Sequence, residues 1–286
     1  MITKILVTGC KGQLGNELQL ISPHYPYSFT FVDKEECDLT DKQAVAAMID
    51  TLRPDAIINC AAYTAVDDAE SHADMAEVLN AKTVQWLAER AKQINALLIH
   101  ISTDYVFDGT KATPSNETDE TNPISVYGKT KLLGELAVKE LQPRAVIIRT
   151  AWLYSSFGKN FVKTIMRLTA ERDSLNVVCD QIGTPTYAAD LAKAIMHILA
   201  QADSINGVEL FNYSNEGKIS WYDFAKRIAE LAGNICTINP VPTTAYPTPA
   251  HRPQYSLLDK TKIKQRFQLQ IPQWDESLQQ CMALLK

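Results

Sequence analysis

The sequence lacks the features that would place the protein in a membrane or on a nucleic acid. None of its apolar runs approaches the roughly 18 residues that a membrane-spanning helix needs. The chain has 28 Lys and Arg and 33 Asp and Glu, and the resulting net charge of −5 gives no indication of a basic surface that would bind phosphate backbones or anionic lipid. One lysine followed by the short run Ile5-Leu6-Val7 is not a secretory signal. We therefore expect a cytoplasmic globular protein.

Cysteine pairs at short spacing are also missing. The six cysteines form no C-x-x-C pair, and no histidine stands at a spacing typical of metal ligands. They lie at positions 10, 37, 60, 179, 236 and 281. This scatter predicts free thiols in a reducing compartment and no metal site.

The first half of the chain alternates short apolar runs with amphipathic stretches. Apolar runs rich in β-branched residues predict strands at Lys4–Thr8, Phe29–Val32, Ala56–Asn59, Leu97–Ser102 and Ala145–Arg149. Helices are predicted between them over Gly12–Leu20, Lys42–Leu52, Asp74–Gln93 and Val126–Leu141. This alternation is typical of an α/β protein with a doubly wound parallel sheet of the Rossmann type, whose ligands bind at the carboxyl ends of the strands.

The second half is less regular, which predicts a division into a dinucleotide-binding domain, residues 1–150, and a smaller substrate-binding region, residues 151–286. A strand at Val208–Tyr213 is expected to return to the main sheet, so the two parts are partly interleaved. Helices are predicted over Asn160–Glu171, Ala188–Gln201, Trp221–Ala232 and Trp274–Leu285. Five prolines in Pro240–Pro253 exclude a helix or a central strand and indicate an extended loop that can line a pocket.

A glycine-rich turn follows the first predicted strand. Gly9, Gly12 and Gly15 stand three residues apart, between the strand and the next helix. In this position the first glycine permits the turn, the second lets the backbone approach a pyrophosphate, and the third allows close helix–sheet packing. The helix would direct its free N–H groups and positive dipole end at phosphate. The segment therefore predicts a dinucleotide site.

The acid at the end of the second predicted strand bears on the choice of cofactor. Asp33 lies 18 residues beyond Gly15, where a carboxylate accepts both ribose hydroxyls of an adenosine and repels a 2′-phosphate. Lys11 and Lys34 stand close by in sequence, and either could neutralise such a phosphate. The sequence favours NADH through Asp33 and leaves NADPH open.

A Y-x-x-x-K motif supplies the candidate chemistry. Tyr127 and Lys131 share one face of a predicted helix, where an ammonium group would lower the pKa of the phenol and make it a usable acid or base. The same spacing occurs by chance in a chain with 11 tyrosines, and Tyr222–Lys226 repeats it. Only Tyr127 follows a strand tip that carries hydroxyls, Ser102-Thr103, so we predict that this tyrosine is the catalytic one.

Together these segments resemble the extended short-chain dehydrogenase/reductases and, among them, the dTDP-4-dehydrorhamnose reductase family. The resemblance covers nearly the whole chain. It rests on TGCKGQLG (8–15), RPDAIINCAAYTAVDDAE (53–70), STDYVFDG (102–109), PISVYGKTKLLGE (123–135), RTAWLY (149–154) and DQIGTPT (180–186).

The resemblance implies a role for each matching residue. Thr103, Tyr127 and Lys131 would form the catalytic triad, with Tyr127 protonating the C4 oxygen of a nucleotide-bound keto sugar. The implied cofactor contacts are Gly9, Gly12, Gln13, Leu14, Gly15, Asp33, Asp38, Leu39, Ala61, Ala62, Tyr63, Ser102, Tyr127 and Lys131. The implied substrate contacts are Thr103, Asp104, Tyr127 and Trp152. Asn80 would either anchor a proton-relay water or cap a helix inside the protein.

No metal site is carried over from the resemblance. Some members of the family hold a divalent ion with an acid on the first helix and another just after DQxGxPT. Glu17 matches the first acid, but Thr186 is followed by Tyr187-Ala188-Ala189 before Asp190.

Other polar residues are predicted to be structural. His100 and Cys60 are expected in the core, and the acids Asp67, Asp68 and Glu70 at a solvated helix entrance. Arg252, after the proline-rich loop, is open to two interpretations, a contact with a diphosphate or a surface charge.

Three functions are compatible with these motifs. The first is reduction of the C4 keto group of dTDP-4-dehydro-L-rhamnose by NADH or NADPH, which serves polysaccharide synthesis. The second is a related epimerase or dehydratase, although Thr103-Asp104-Tyr105 lacks the second acid of a dehydratase. The third is a regulatory subunit that only binds cofactor, which would not need the triad. The expected partner is a nucleotide sugar, and a homodimer is an open alternative to a monomer.

Overall fold

The computed structural model describes residues 2–285. Its strands, in chain order, are β1 (Lys4–Thr8), β2 (Ser28–Val32), β3 (Ala56–Asn59), β4 (Leu97–Thr103), β5 (Ala145–Thr150), β6 (Leu153–Tyr154), β7 (Ser174–Val178), β8 (Ile182–Gly183), β9 (Thr186–Tyr187), β10 (Val208–Tyr213), β11 (Ile219–Ser220) and β12 (Thr237–Val241). Its helices are α1 (Gln13–Ile21), α2 (Lys42–Leu52), α3 (Val66–Ala69), α4 (Ala73–Glu77), α5 (Thr83–Ile94), α6 (Val126–Leu141), α7 (Phe161–Glu171), α8 (Ala188–Leu199), α9 (Trp221–Ala232), α10 (Thr261–Phe267) and α11 (Trp274–Ala283).

Six parallel strands form the central sheet, in the order β10-β5-β4-β3-β1-β2. One face packs its apolar side chains against α1, α8 and α10, and the other face against α2, α5 and α6. Every residue of β3 and β5 is buried, as expected for strands that are covered on both sides. The prediction of a doubly wound parallel sheet is confirmed, and so is the return of β10 to its edge.

A second core lies in the C-terminal part of the chain. There α7, α9 and α11 pack around Tyr154, Phe224 and Leu278, beside pairs of short strands. The pairs are β7 with β12, β6 with β9, and β8 with β11. None of these strands was predicted. Four of them have only two residues, too few to show a hydrophobic period, and β7 and β12, with five residues each, are mostly exposed or half-buried. None of the helices within residues 2–285 is long and apolar enough to cross a membrane.

Two predicted elements differ in the structure. The expected helix Asp74–Gln93 consists of α4, a π-helical segment Val78–Lys82, and α5. The expected extended loop begins later than predicted, because Pro240 lies in β12 opposite Val177 of β7. A two-stranded sheet leaves one side of each strand unpaired, and a proline without an N–H is tolerated on such a side.

Candidate active site

A cavity of about 910 Å³ opens at the carboxyl ends of the central strands. It begins between β1 and β3, where the order of the strands switches from one side of β1 to the other, and extends past β4 to β5. This crevice is where open α/β sheets bind ligands. Of the residues predicted to bind cofactor or substrate, all except Tyr63 line it.

The glycine-rich turn forms the floor of one end of the cavity. Gly9 has a φ of +67°, and a Cβ there would lie 2.7 Å from the backbone of Ala61. A Cβ on Gly15 would lie 2.4 Å from the carbonyl oxygen of Gly9, so neither position accepts a side chain. No side chain caps the N-terminus of α1. The turn thus fits a dinucleotide phosphate, because it offers close backbone approach and free N–H groups at a helix start.

Asp33 occupies the side wall next to that turn. Its carboxylate accepts hydrogen bonds from the backbone N–H of Lys11 and of Lys34, both at 2.9 Å. These bonds fix the carboxylate at the tip of β2, at the edge of the cavity. The Lys11 ammonium lies 2.7 Å from Glu35, so it is already paired, whereas Lys34 is exposed at the cavity wall.

The wall beyond β3 carries a short backbone run and a buried amide. Ala61 and Ala62 line the cavity, while the Tyr63 hydroxyl turns away from it and donates to the Asp68 carboxylate. Asn80, in the π-helical segment, accepts from the Tyr63 N–H at 2.8 Å and donates to the Thr130 hydroxyl at 3.1 Å. Asn80 therefore ties the π-helical segment to the chain after β3 and to α6, through residues that do not line the cavity.

Tyr127 and Lys131 lie on the same face of α6 and both line the cavity. Burial raises the pKa of Tyr127 to about 12, and the nearby Thr103 hydroxyl offsets only part of that effect. Burial lowers the pKa of Lys131 to about 8, against the opposing charge of Glu135. The Lys131 ammonium donates to the Ile101 carbonyl at 2.6 Å. The pKa of Tyr127 is thus raised and not lowered as expected, because burial and the nearby Asp104 both disfavour the phenolate.

Thr103 and Asp104 end β4 at the centre of the cavity. The Thr103 hydroxyl donates to one Asp104 carboxylate oxygen at 3.0 Å. The other carboxylate oxygen is buried and has no hydrogen-bond partner among the described residues. Burial raises the pKa of Asp104 to about 7. The carboxylate oxygen without a partner is a polar atom that a ligand could satisfy.

Trp152 forms part of the opposite wall. Its backbone has a φ of +48°, a left-handed conformation that costs a large residue energy. The surrounding packing holds it there, since its ring stacks on Trp221 at a centroid distance of 3.6 Å. Trp152 thus presents a fixed aromatic surface to the cavity.

The comparisons with known proteins agree with this geometry. The family model described as "RmlD substrate binding domain" matches residues 3–286. A curated dTDP-4-dehydrorhamnose reductase from Aggregatibacter actinomycetemcomitans is 41% identical over 291 residues, which cover 99% of each chain. The chain belongs to the dTDP-4-dehydrorhamnose reductase family. Another relative with that name, from Escherichia coli K12, is 42% identical over 280 residues and 94% of each chain.

A solved member of the family shows the same fold. The dTDP-4-dehydrorhamnose reductase from Bacillus anthracis, determined in complex with NADP, superimposes with a TM-score of 0.94 at 39% identity. The alignment covers 99% of both chains. The resemblance inferred from the sequence motifs is therefore confirmed for the family and for the fold.

In this reductase-family chain, some cavity residues were missed by the sequence analysis. Lys159 and Asn160 line the cavity from a loop that lies over the glycine-rich turn. Asn160 donates to the side-chain oxygen of Gln13 at 2.9 Å, and Gln13 donates to the Leu153 carbonyl at 3.3 Å. In the sequence these two residues belong to a polar run after RTAWLY. No motif in that run distinguishes it from an ordinary loop, so they were not predicted.

The residues that were predicted to be structural mostly lie outside the cavity. Tyr222 and Lys226 contact each other, with the ammonium 5.3 Å from the ring centre, and neither lines the cavity. His100 is buried and its Nδ1 lies 3.1 Å from the Asn59 amide nitrogen. Cys60, by contrast, is half-buried and does line the cavity.

The acidic helix entrance is more ordered than expected. Arg252 makes a two-pronged ion pair with Asp67, with N–O distances of 2.7 and 3.0 Å. Glu70 accepts the Val126 N–H at the start of α6. In this state Arg252 faces a carboxylate of the cofactor-binding part, which matches neither a diphosphate contact nor a free surface charge.

Glu17 is buried in α1 and serves a structural contact. The Ser155 hydroxyl donates to its carboxylate at 2.6 Å. Burial raises the pKa of Glu17, with Ser155 acting in the opposite direction. Among residues 2–285, no group of three or more His, Cys, Asp and Glu side chains is arranged to hold a metal ion.

Proposed function

We propose that the protein reduces the C4 keto group of dTDP-4-dehydro-L-rhamnose to give dTDP-L-rhamnose, with a nicotinamide cofactor as reductant. The proposal depends on one observation: Thr103, Tyr127 and Lys131 line the same cavity as the glycine-rich turn. It is supported by 41% identity over 99% of the chain to a curated enzyme of that name. The product is a sugar donor for polysaccharide synthesis.

Tyr127 is assigned the role of general acid. When bound, the cofactor supplies hydride to the C4 carbon, so negative charge develops on the C4 oxygen. A phenol with a pKa near 12 keeps its proton at neutral pH and can donate it to that oxygen. Tyr127 therefore begins protonated, as the direction of reduction requires.

Lys131 and Thr103 are assigned supporting roles. Lys131 uses one of its N–H groups on the Ile101 carbonyl, which leaves two for the nicotinamide ribose and for stabilising Tyr127 as it loses its proton. Thr103 lies at the tip of β4 and is assigned a hydrogen bond to the C4 oxygen. Such a donor stabilises developing charge without reorganisation.

The sugar is assigned to the cavity wall near Asp104 and Trp152. The free carboxylate oxygen of Asp104 can accept from a sugar hydroxyl, and the fixed Trp152 ring can cover the sugar or its nucleotide. We assign the cofactor to the part of the cavity that is lined by the glycine-rich turn and by the residues that follow it in the sequence as far as Ala62.

The substrate is tested with a panel of nucleotide-linked 4-keto-6-deoxy sugars, each offered with NADH and with NADPH. Consumption of the reduced cofactor is followed by its absorbance. We expect turnover with dTDP-4-dehydro-L-rhamnose. If every 4-keto sugar fails while the protein is folded and binds cofactor, the proposal is wrong. Nicotinamide cofactor that stays with the protein through purification, and whose absorbance appears when the protein is denatured, would indicate an epimerase instead.

For the cofactor, we propose a preference for NADH that does not exclude NADPH. Asp33 is held by two backbone N–H groups at the place where the adenosine ribose is expected. Its negative charge opposes a 2′-phosphate, whereas the exposed Lys34 would favour one. The carboxylate is held by two hydrogen bonds, whereas the lysine is exposed and its charge is screened by solvent, so the carboxylate should dominate.

Asp33→Ala is therefore expected to weaken NADH binding more than NADPH binding. NADH loses two hydrogen bonds between its ribose hydroxyls and the Asp33 carboxylate. NADPH is at the same time relieved of the repulsion between that carboxylate and its 2′-phosphate, so its net loss is smaller. Dissociation constants for both cofactors, measured by nicotinamide fluorescence, check this. Glu35→Ala is the companion variant. It frees Lys11 from its ion pair without removing a ribose ligand, so it should leave NADH binding unchanged and strengthen NADPH binding. Equal losses for both cofactors in Asp33→Ala would mean that Asp33 does not contact the ribose.

A further inference from the structure

A buried ion pair lies directly behind the candidate active site. Glu135 and Arg149 are 0% and 1% exposed, and their N–O distances are 2.8 and 2.6 Å. The guanidinium also lies over the Phe107 ring, 4.9 Å from its centre. Neither residue lines the cavity, and burying two charges is costly unless their geometry is good. The pair therefore calls for an explanation beyond packing.

The Glu135 carboxylate connects the elements that carry the proposed catalytic residues. Glu135 lies one helical turn after Lys131 on α6, on the same face. It accepts from the Ser102 hydroxyl at 2.6 Å, and Ser102 lies beside Arg149 in the β4–β5 register. Ser102 stands between Ile101, whose carbonyl holds Lys131, and Thr103. One carboxylate thus links α6, the tip of β4, and β5.

The same contact occupies Ser102, which the sequence analysis assigned to the cofactor. Ser102 lines the cavity, but its hydroxyl proton is directed to Glu135 at the back of the site. Arg149 fills the other positions of the carboxylate, with two of its nitrogens. The Glu135 carboxylate therefore accepts three short hydrogen bonds in the interior, one from Ser102 and two from Arg149.

We propose that Glu135, held by Arg149, is a positioning residue that joins α6 to the tip of β4 through Ser102 and so aligns Lys131 with the Ile101 carbonyl. The inference rests on the proposed function, because it concerns the same active site. Lys131 is buried, and an ammonium in such a place needs a nearby negative charge. The other titratable groups near it are Tyr127 on α6, Cys60 after β3 and His100 on β4. Arg149 and Lys139 face the Glu135 carboxylate as well, at 2.6 and 3.8 Å.

The test uses two variants and two readouts. Glu135→Gln keeps the shape of the side chain and removes its charge. Lys131 should then lose its proton at a pH lower by about 1 unit or more, because it loses a nearby counter-charge. The first readout is cofactor affinity against pH, by nicotinamide fluorescence, and the second is kcat/KM against pH. We expect the alkaline limb of both curves to move to lower pH.

The second variant keeps the test valid if Glu135→Gln fails to fold. Glu135→Leu combined with Arg149→Met replaces the pair by apolar side chains, a change that often leaves stability unchanged or improved. We expect this protein to keep its melting temperature and to lose at least tenfold in kcat, because Ser102 loses its acceptor. The alkaline limb should move less than in Glu135→Gln, because a positive charge is removed together with the negative one. A folded double variant with wild-type kcat and wild-type pH curves would overturn the proposal.

A matched ion pair elsewhere provides the control. Arg227 and Asp275 form a similar two-pronged contact between α9 and α11, at 2.6 and 3.1 Å, away from the cavity. Asp275→Asn should change stability without moving either pH curve. The fluorescence readout needs no turnover, so it tests this inference even if no 4-keto sugar is reduced. A shift in Asp275→Asn equal to that in Glu135→Gln would show that the effect is not specific to the site.

Discussion

Tyr127→Phe is expected to lower kcat by about 10²–10⁴, the range for loss of a positioned general acid. The substitution removes a single hydroxyl that faces the cavity, so folding and cofactor affinity should be nearly unchanged. Steady-state kinetics with the keto sugar, together with cofactor titration and a melting curve, measure the three quantities separately.

Tyr222→Phe is the control for this experiment, because Tyr222 stands in the same sequence spacing to a lysine. Its ring contacts Lys226 but lies away from the cavity. We expect its kcat to stay close to that of the wild type. If Tyr222→Phe were as damaging as Tyr127→Phe, or if Tyr127→Phe kept most of its turnover, the assignment of the general acid would be wrong.

Lys131→Met should damage catalysis and cofactor binding together. We expect kcat to fall by about 10²–10³, the effect of removing one charged donor from a preorganised site, and KM for the cofactor to rise. In the wild type, a pKa near 8 means that Lys131 is protonated at neutral pH and loses its charge as pH rises through about 8. Wild-type kcat/KM should therefore decline above that pH, and Lys131→Met should lack this limb.

The lysine of the second motif again supplies the control. Lys226→Met removes an ammonium that lies over the Tyr222 ring and does not reach the cavity. Its kinetic constants and pH profile should match those of the wild type. A fall in kcat without any change in the cofactor KM of Lys131→Met would mean that the lysine does not hold the ribose.

The parts of the site that could be predicted from sequence are those built from neighbours in the chain. The glycine-rich turn and the Tyr127–Lys131 pair each depend on one strand–helix junction or one helical turn, so their spacing carries the geometry. The strand tip at Thr103 could be placed because a buried run of the sheet ends there. These segments also carried the resemblance to the family.

The rest depends on contacts between distant segments. The pair of Glu135 with Arg149 joins residues whose meeting requires α6 to lie against β4 and β5. The raised pKa of Tyr127 depends on how deeply the folded chain encloses the phenol, which spacing does not show. The π-helical segment around Asn80 is likewise set by tertiary packing, since its residues form part of an ordinary helical pattern.

The position of β10 bears on how the chain can be divided. This strand comes from the second half of the sequence, yet it pairs along the full length of β5 at the edge of the central sheet. A fragment that ended after residue 150 would leave β5, with all six residues buried in the whole protein, as an open apolar edge. Such edges template aggregation by pairing with other chains. Residue 150 is therefore a poor place to end a separate cofactor-binding fragment. A fragment that is meant to fold alone must extend through α8 and β10.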